Sequence, residues 1–333
     1  MKVLIDHGDP FLFTHGGFQI QIEQTKLALE ANGIDVEYLR WWDGSQNCDL
    51  VHYFGRVPEG YVRLAHGRGI KVVMSELMSD LSARPPIARA AQKTVTEFLR
   101  RTVPASLTVR LGWESFRLVD ACIALTPVEA DLMQHHFGAK PERLHVVPNG
   151  VEEVFLRDEG SAARGLWLVC TATIRPLKRV LELAQAAVAA QVRVWILGKP
   201  YSEEDPYTKA FRAFAKEHSD VIRYEGPVND RAKLAQIYRE ARGFVLLSTN
   251  ESLSLSALEA AACGCPLLLS DLPWARCVFE EYARYCKITS VSETAKILRR
   301  FADEAHNLPR PPKPRSWKEI GLMLKSVYEK LLR

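Results

Sequence analysis

The chain has few cysteines, and their arrangement does not indicate a covalent framework. Its 333 residues include seven cysteines, an odd number, scattered and without a Cys-x-x-Cys pair. A disulfide scaffold and a zinc site are therefore not indicated, and we expect these side chains to be apolar core groups in a reducing compartment. They lie at positions 48, 122, 170, 263, 265, 277 and 286.

Long apolar runs and a strong net charge are also missing. No stretch approaches the length that spans a bilayer, and the segment from Met1 to Asp6 turns polar after three apolar residues, which predicts no signal peptide. The formal net charge is only +4, with 47% hydrophobic and 25% charged residues. Such a composition predicts an ordinary cytoplasmic globular protein that does not bind nucleic acid.

Two ligand-binding motifs are absent as well. No Gly-x-Gly-x-x-Gly follows the first predicted strand of either half of the chain, which disfavours a dinucleotide-binding dehydrogenase. No Asp-x-Asp cluster follows a predicted strand, so neither a bound metal nor another cofactor is expected.

What the sequence does contain is a repeated alternation of short apolar strands with helices. Such alternation predicts parallel sheets, and the length predicts two domains, so we expect an α/β protein of two Rossmann-like halves. Strands are predicted at 3–5, 36–39, 50–53, 71–74, 120–125, 144–147, 167–171, 192–197, 221–224, 244–248 and 267–270. Helices are predicted at 19–32, 64–68, 127–137, 180–190, 207–217, 231–240, 256–263 and 317–332.

The domain boundary is predicted at the polar stretch 157–164. This divides the chain into domains at 1–158 and 159–315. The proline-rich segment 309–314 precedes the closing helix, and we expect residues 316–333 to pack back onto the first domain.

The strongest motif lies at 248–266, across a predicted strand-to-helix turn. Glu251 and Glu259 are separated by seven residues, and small residues followed by Gly264-Cys265-Pro266 come after them. The carboxyl end of a parallel strand is where such sheets bind ligands, and the amides near Leu253 to Leu255 begin a helix whose N-terminus favours phosphate. Paired glutamates alone are more often a solvated helix face.

This segment resembles the glutamate-x7-glutamate motif of retaining GT-B glycosyltransferases, especially glycosyltransferase family 4. The resemblance implies two Rossmann-like domains whose parallel sheets face across a cleft and hold a nucleotide-sugar. It implies that Glu251 contacts the transferred sugar and Glu259 the ribose, with Ser252, Leu253, Ser254 and Leu255 in the donor-binding loop. The family's glycines after the first glutamate are replaced by Ser252 and Ser254.

A second resemblance lies at 171–179, after the first strand of the second half. In the family this segment supplies an arginine and a lysine that neutralise the leaving nucleoside diphosphate. Lys178 occupies the position of the family lysine, whereas Thr173 occupies that of the arginine, and Arg175 is the candidate substitute. The alternative is a helix start whose cations are only solvated.

The loop at 14–18 resembles the family's N-terminal Gly-Gly turn. Gly16 and Gly17 permit close backbone approach to the diphosphate and sugar, whereas the neighbouring His15 is not assigned as a base. Pro148 to Val151 and Ser316 to Glu319 also match, so the resemblance spans essentially the whole chain. Where many members have a histidine after the fourth strand, this chain offers Glu76, either an acceptor contact or a surface glutamate.

Residues 84–117 are helical in pattern and unusually basic. Either the segment is a solvated outer face, the reading we favour, or it is an amphipathic surface that contacts a membrane. Its basic residues are Arg84, Arg89, Lys93, Arg100, Arg101, Arg110 and Arg117, and its interleaved apolar residues are Phe98, Leu99, Val103, Leu107, Leu111, Trp113 and Phe116.

Taken together, the sequence predicts a retaining, metal-independent glycosyltransferase. We expect a UDP- or GDP-sugar donor and a hydroxyl acceptor on a glycan or glycolipid, with peripheral contact at the inner membrane face as an open alternative. The rival hypotheses are a catalytically silent nucleotide-sugar-binding scaffold of the same fold and a nucleotide-sugar epimerase, which would need acid and base groups that the sequence does not reveal.

Overall fold

The protein consists of two compact units. The computed structural model describes residues 1–8, 10–11, 16–84, 86–103, 113–158, 164–287 and 289–333. The first unit comprises Met1–Asn149 together with Trp317–Arg333, and the second comprises Gly150–Ser316.

The division between the units falls earlier than the predicted linker at 157–164. Val151 forms a parallel bridge with Ser316, and its N–H donates to the Arg315 carbonyl at 3.0 Å. A short helix at Glu153–Leu156 packs against two helices of the second unit. These contacts attach residues 150–158 to the second unit, and no composition signal marks this, because the contacts are made with residues distant in sequence.

Each unit is built on a parallel sheet of six strands, which confirms the predicted α/β architecture. The first sheet has the order β2-β1-β3-β4-β5-β6 and the second β12-β11-β10-β7-β8-β9. The strands are β1 (Lys2–His7), β2 (Asp35–Tyr38), β3 (Leu50–Phe54), β4 (Lys71–Ser75), β5 (Ala121–Ala124), β6 (Leu144–Val146), β7 (Leu168–Thr171), β8 (Val194–Leu197), β9 (Ile222–Tyr224), β10 (Gly243–Leu246), β11 (Leu267–Ser270) and β12 (Ala283–Cys286).

Helices connect the strands as the parallel topology requires. They are α1 (Gly17–Ala31), α2 (Glu59–Gly67), α3 (Ser79–Ser82), α4 (Pro86–Thr102), α5 (Ser115–Leu118), α6 (Pro127–Phe137), α7 (Glu153–Leu156), α8 (Val180–Ala190), α9 (Pro206–Glu217), α10 (Arg231–Glu240), α11 (Leu255–Ala262), α12 (Pro273–Phe279), α13 (Val291–Glu304) and α14 (Trp317–Leu331). Sequence analysis predicted no elements between β11 and α14, although Pro273 at the start of α12 and the Ser290 cap of α13 are recognisable helix signals.

Each sheet has one point at which the strand order reverses, although all of its strands are parallel. In the first sheet, β1 lies between β2 and β3, and in the second, β7 lies between β8 and β10. Connections from two such neighbouring strands leave in opposite directions and open a crevice at the carboxyl ends of the strands. The loops after β1, β3, β7 and β10 are therefore the ones placed to bind a ligand.

The closing helix α14 packs against α1 in the first unit. A Cβ atom on Gly321 would lie 2.5 Å from the Ala28 carbonyl oxygen, so only glycine allows this approach. The Asn32 side-chain amide donates to the Lys318 carbonyl at 3.0 Å. The two helices are thus held by close backbone contact as well as by apolar packing.

A buried polar chain links α14 to the sheet. His52 on β3, which is 1% exposed, lies with Nδ1 2.7 Å from the Tyr328 hydroxyl and Nε2 2.7 Å from the Ser75 hydroxyl. Burial lowers the pKa of His52 to about 3 from its ordinary 6.5, so the ring is neutral at physiological pH. A neutral ring donates a hydrogen bond from its one N–H and accepts another at its unprotonated nitrogen, so it can bond both hydroxyls.

Acid should therefore destabilise the protein through His52. Between its ordinary pKa of 6.5 and its folded pKa of about 3, the unfolded chain binds a proton there that the folded chain does not. The free energy of unfolding then falls with decreasing pH by up to about 1.4 kcal/mol per pH unit. Urea midpoints measured across this range should fall more steeply for the wild type than for His52→Gln. Parallel curves would contradict the assignment, and His306→Gln, at an exposed histidine, should match the wild type.

Candidate active site

Two loops of the second unit meet at the carboxyl ends of β7 and β10. The Thr249 N–H donates to the Leu177 carbonyl at 2.9 Å, and the Thr249 hydroxyl approaches the same oxygen at 3.3 Å. The two motifs singled out in the sequence, 171–179 and 248–260, are thereby brought side by side.

An ion pair between Lys178 and Glu251 lies at the centre of this contact. Lys178 Nζ contacts Glu251 Oε1, and the Ser248 hydroxyl donates to the same oxygen at 2.9 Å. Their side chains are 22% and 12% exposed, respectively, so the pair is shielded yet reachable. Ser248 is itself anchored, because its carbonyl accepts a 2.6 Å hydrogen bond from Ser270 at the end of β11. The carboxylate is therefore held at a fixed position at the sheet edge.

Arg175 does not join this ion pair. Its guanidinium lies over the Tyr201 ring, 5.3 Å from the ring centre, and its backbone leads into the short 3₁₀ turn Pro176–Lys178. Arg179, at the junction with α8, adopts a left-handed conformation with φ of 51°. Lys178 and Arg175 thus lie at the two ends of one short turn and have different partners, Glu251 and the Tyr201 ring.

The loop after β10 ends in the N-terminus of α11. Ser254 caps the helix by accepting a hydrogen bond from the Ala257 N–H at 3.3 Å, and Leu253 is buried and anchors the loop. The Ser252 hydroxyl is buried and has no hydrogen-bond partner among the described residues. Amides in the first turn, starting at Leu255, have no carbonyl partner within the helix, and they carry the positive end of its dipole.

Glu259, one turn further along α11, is buried in a polar cluster. Its side chain is 8% exposed, its Oε1 accepts from Arg231, and its Oε2 accepts a long hydrogen bond of 3.4 Å from Tyr238. Arg231 also pairs with Glu152 at 2.8 Å and lies over the Phe155 ring. Burial raises the pKa of Glu259 above its ordinary value, while the Arg231 guanidinium opposes the rise.

Sequence reasoning missed Arg231 and Glu152. Arg231 opens α10 beside Lys233 and has the pattern of a solvated helix start. Its two acidic partners lie 79 and 28 residues away in the chain, so no local signal identifies them.

Gly198, just after β8, was also missed, although the candidate loop depends on it. Its φ is +151°, and a Cβ atom there would lie 1.9 Å from the Ala172 carbonyl oxygen. The neighbouring Ile174 N–H donates to the Lys199 carbonyl at 3.0 Å. The loops after β7 and β8 therefore lie in backbone contact, which fixes the start of the segment carrying Lys178.

In the first unit, the glycine turn lies at the carboxyl end of β1. Gly16 caps α1 with φ of 133°, a backbone conformation that favours glycine, and Gly17 is the first helical residue. Thr14 and His15, the other members of the predicted turn, lie outside the described residues.

Of the two alternatives for Glu76, an acceptor contact or a surface glutamate, the structure does not support full exposure at the surface. Its side chain is 16% exposed and pairs with Arg56 at 3.3 Å, and burial raises its pKa. Arg56 in turn lies over the rings of Phe116 and Phe137 at 5.2 and 5.0 Å. The Glu76 carboxylate is thus held just beyond β4 by the Arg56 guanidinium, which packs on two aromatic rings.

The basic segment 84–117 contains the helix α4, whose outward face is apolar. Ile87, Val95 and Phe98 are 86%, 54% and 62% exposed. Phe116, predicted for the same surface, is instead fully buried and stacks on Phe137 at 4.6 Å, because α5 packs into the core. Residues 85 and 104–112, with Leu107, Arg110 and Leu111, lie outside the described residues, as does the side chain of Arg100.

The described parts of the chain contain neither a candidate metal centre nor a membrane-crossing helix. Within them, no three His, Cys, Asp or Glu side chains are grouped so as to hold a metal ion. None of the helices described there is both long and apolar enough to cross a bilayer.

Each unit of the chain matches a glycosyltransferase family model. Residues 166–303 match the family model described as "Glycosyl transferases group 1", and residues 31–154 match "Glycosyltransferase Family 4". The chain belongs to the family 4-like glycosyltransferases.

Curated relatives of this family 4-like chain include two bacterial enzymes. D-inositol 3-phosphate glycosyltransferase of Actinosynnema mirum is 34% identical over 169 residues, covering 45% of this chain and 40% of that protein. MMP alpha-(1->4)-mannosyltransferase of Mycolicibacterium hassiacum is 26% identical over 229 residues, covering 65% of this chain and 55% of that protein. The match thus spans about half of each relative's length.

Solved structures establish the fold. Sucrose-phosphate synthase from Thermosynechococcus elongatus matches with a TM-score of 0.68 at 16% identity, covering 99% of this chain and 98% of that one. Anabaena HepE, in complex with UDP-glucose, matches with a TM-score of 0.66 at 14% identity, again covering 99% and 98%. These likenesses confirm the GT-B class for the family 4-like chain.

Substitution of Gly198 should disrupt the loop that carries Lys178. In Gly198→Ala the new methyl group overlaps the Ala172 carbonyl, so the two loops must separate. We expect the free energy of unfolding to fall by about 2 kcal/mol or more, measured by urea unfolding. Gly60→Ala is the matched control, because nothing lies within 4 Å of its added Cβ. Equal stability of the two variants would contradict the role given to Gly198.

Proposed function

We propose that the chain is a retaining, metal-independent glycosyltransferase. It moves a hexosyl group from a UDP- or GDP-sugar to a hydroxyl of a glycan or glycolipid. The observation that carries the proposal is the Lys178–Glu251 ion pair, which lies between the loops after β7 and β10 and beside the N-terminus of α11. This arrangement combines a cation and a carboxylate where parallel sheets bind ligands.

The leaving diphosphate is neutralised by the second unit in this proposal. Lys178 and the first-turn amides of α11 present positive charge to the phosphates as the bond to the sugar breaks. A diphosphate close to Lys178 competes with Glu251 for the ammonium group and releases the carboxylate towards the sugar. Arg175 contributes to the same charge once it leaves the Tyr201 ring.

The two glutamates of the motif have different environments and, we propose, different tasks. Glu251, at the shielded edge of the loop, contacts the transferred sugar. Glu259 Oε2 accepts a hydrogen bond from a ribose hydroxyl, because its existing hydrogen bond from Tyr238 is long. Arg231 donates to Oε1 and stabilises the charged form of the carboxylate. Arg231 is then a positioning residue for the donor.

The acceptor hydroxyl attacks from the face that the diphosphate leaves, and its proton passes to a departing phosphate oxygen. Configuration at the sugar carbon is thereby retained. Glu76, held by Arg56, is the candidate for accepting a hydrogen bond from the acceptor. The likeness to D-inositol 3-phosphate glycosyltransferase and to a mannosyltransferase, together with the HepE complex with UDP-glucose, supports a nucleotide-sugar donor and a hydroxylated acceptor.

A thermal-shift panel with UDP, GDP, ADP and their common sugar conjugates tests donor binding. One nucleotide family should raise the melting temperature of the wild type, and the increase should shrink in Lys178→Ala and Glu259→Gln. With the matching donor, the turnover of Lys178→Ala should fall by about a hundredfold or more, as when a single group that stabilises developing charge is removed. Lys209→Ala and Glu293→Gln, at exposed ion pairs, serve as charge-matched controls.

Two outcomes of this panel would contradict the proposal. Nucleotide binding without turnover on any acceptor tested, affected by Glu251→Ala only in affinity, would establish the silent scaffold instead. Absence of stabilisation by every nucleotide would remove the donor site itself.

We further propose that α4 contacts an anionic membrane surface. Its outward face exposes Ile87, Val95 and Phe98. In the sequence, residues 84–101 contain five basic residues and the single acid Glu97, the basic residues being Arg84, Arg89, Lys93, Arg100 and Arg101. Apolar residues flanked by cations are the pattern of helices that lie in the headgroup region of a bilayer.

Sedimentation with phosphatidylglycerol-containing vesicles tests the membrane contact. The wild type should pellet with the vesicles at low salt, and Ile87→Ser with Phe98→Ser should reduce the bound fraction several-fold. Leu64 on α2 is 74% exposed, between the values for Ile87 and Phe98, and Leu64→Ser should bind like the wild type. Equal binding of all three proteins would show that α4 is only a solvated face.

A further inference from the structure

Two consecutive tryptophans project from the first unit into solvent. Trp41 and Trp42 follow β2 and are 79% and 82% exposed. Tryptophan is a highly buried residue on average, so two neighbouring exposed indoles are an unusual apolar surface. The donor site proposed for the second unit does not use them.

The loop that carries the tryptophans is held in a fixed shape. The Arg40 guanidinium donates to Glu37 at 2.9 Å and to Asp43 at 2.8 and 3.0 Å. The Arg40 N–H donates to the Gln46 side chain at 2.7 Å, and the Asp43 N–H closes the turn on the Arg40 carbonyl at 3.0 Å. Because the backbone on both sides is tied, the indoles are presented with little loss of chain entropy on binding.

The tryptophan loop lies on the ligand-binding edge of the first sheet. β2 pairs in parallel with β1, and the Leu39 N–H, next to the loop, donates to the Ile5 carbonyl at 2.9 Å. β1 leads at the same edge towards the Gly16 turn, and the strand order of the sheet reverses between β1 and β3. The carboxyl ends of the strands at such a reversal are where ligands bind.

The charge around the tryptophans indicates what they bind. The charged side chains of the loop, Glu37, Arg40 and Asp43, pair with one another, the Arg40 guanidinium lying 2.9 Å from the Glu37 carboxylate and 2.8 Å from that of Asp43. The loop therefore presents no excess of positive charge to anionic lipid headgroups, in contrast to the basic segment of α4. A neutral polyhydroxylated ring suits this loop. Its carboxylates accept hydrogen bonds from hydroxyls, and the exposed Ser45 and Asn47 side chains can both accept and donate.

We propose that Trp41 and Trp42 form a stacking platform for the pyranose rings of a neutral oligosaccharide acceptor. The C–H face of a pyranose carries partial positive charge and lies favourably on the negative face of an indole ring. This proposal specifies the class of acceptor, a neutral oligosaccharide, and in that respect it rests on the proposed transferase function. Its tryptophans contact acceptor residues and leave the donor site untouched.

Trisaccharide binding tests the platform directly. Cellotriose, maltotriose and mannotriose are titrated at millimolar concentration by ligand-observed saturation-transfer NMR against the wild type, Trp41→Ala, Trp42→Ala, Trp41→Tyr and the control Leu322→Ala. At least one trisaccharide should bind the wild type, with affinity reduced about tenfold or more by each tryptophan-to-alanine change. Trp41→Tyr, which keeps an aromatic face, and Leu322→Ala should retain binding.

The same proteins are tested for nucleotide-sugar thermal shifts and for pelleting with phosphatidylglycerol vesicles. Unchanged nucleotide shifts in the alanine variants support the platform as a separate acceptor subsite. Tryptophan-dependent saccharide binding in a wild type that binds no nucleotide also supports it and overturns only the transferase proposal. Failure of all three sugars to bind, binding indifferent to both tryptophans, or loss of vesicle pelleting in the alanine variants would overturn the platform.

Discussion

The backbone contact between Thr249 and Leu177 is the constraint on which the candidate active site depends. These residues belong to loops that follow β7 and β10, neighbours in the sheet that two other strands separate in the chain. The reversal of strand order between them creates the crevice, and the hydrogen bond joins its two sides. Without this contact, Lys178 and Glu251 would belong to two independent loops, and neither would be positioned by the other.

Much of the architecture could be predicted from the sequence because its signals are local. Apolar runs of strand length and capped helices are visible in a few consecutive residues, and the structure has α10 and β11 with the same bounds that the pattern predicts. The proximity of Lys178 and Glu251 was predictable for a topological reason, since loops at the carboxyl ends of adjacent parallel strands must share an edge. A motif that follows a strand thus carries information about its position in space.

What could not be predicted depends on tertiary burial. Arg231 has the sequence context of a solvated helix start, yet it lies between Glu152 and Glu259 because α7 packs on α10 and α11. Phe116 has the spacing of an amphipathic surface and is fully buried. The sequence likewise carries no signal that Trp41 and Trp42 face water, because tryptophan is a highly buried residue on average and only the folded loop exposes them. In each case the deciding partner is remote in the chain.

The return of α14 to the first unit has a consequence for synthesis. The second unit is continuous in the chain, whereas the first includes Trp317–Arg333 from beyond it. During translation, α1 cannot pack against α14, and His52 cannot bond the Tyr328 hydroxyl, until α14 has left the ribosome. The unit that is synthesised first is therefore completed last. In the interval α1 lacks its packing partner, and part of the core of the first unit remains exposed to water.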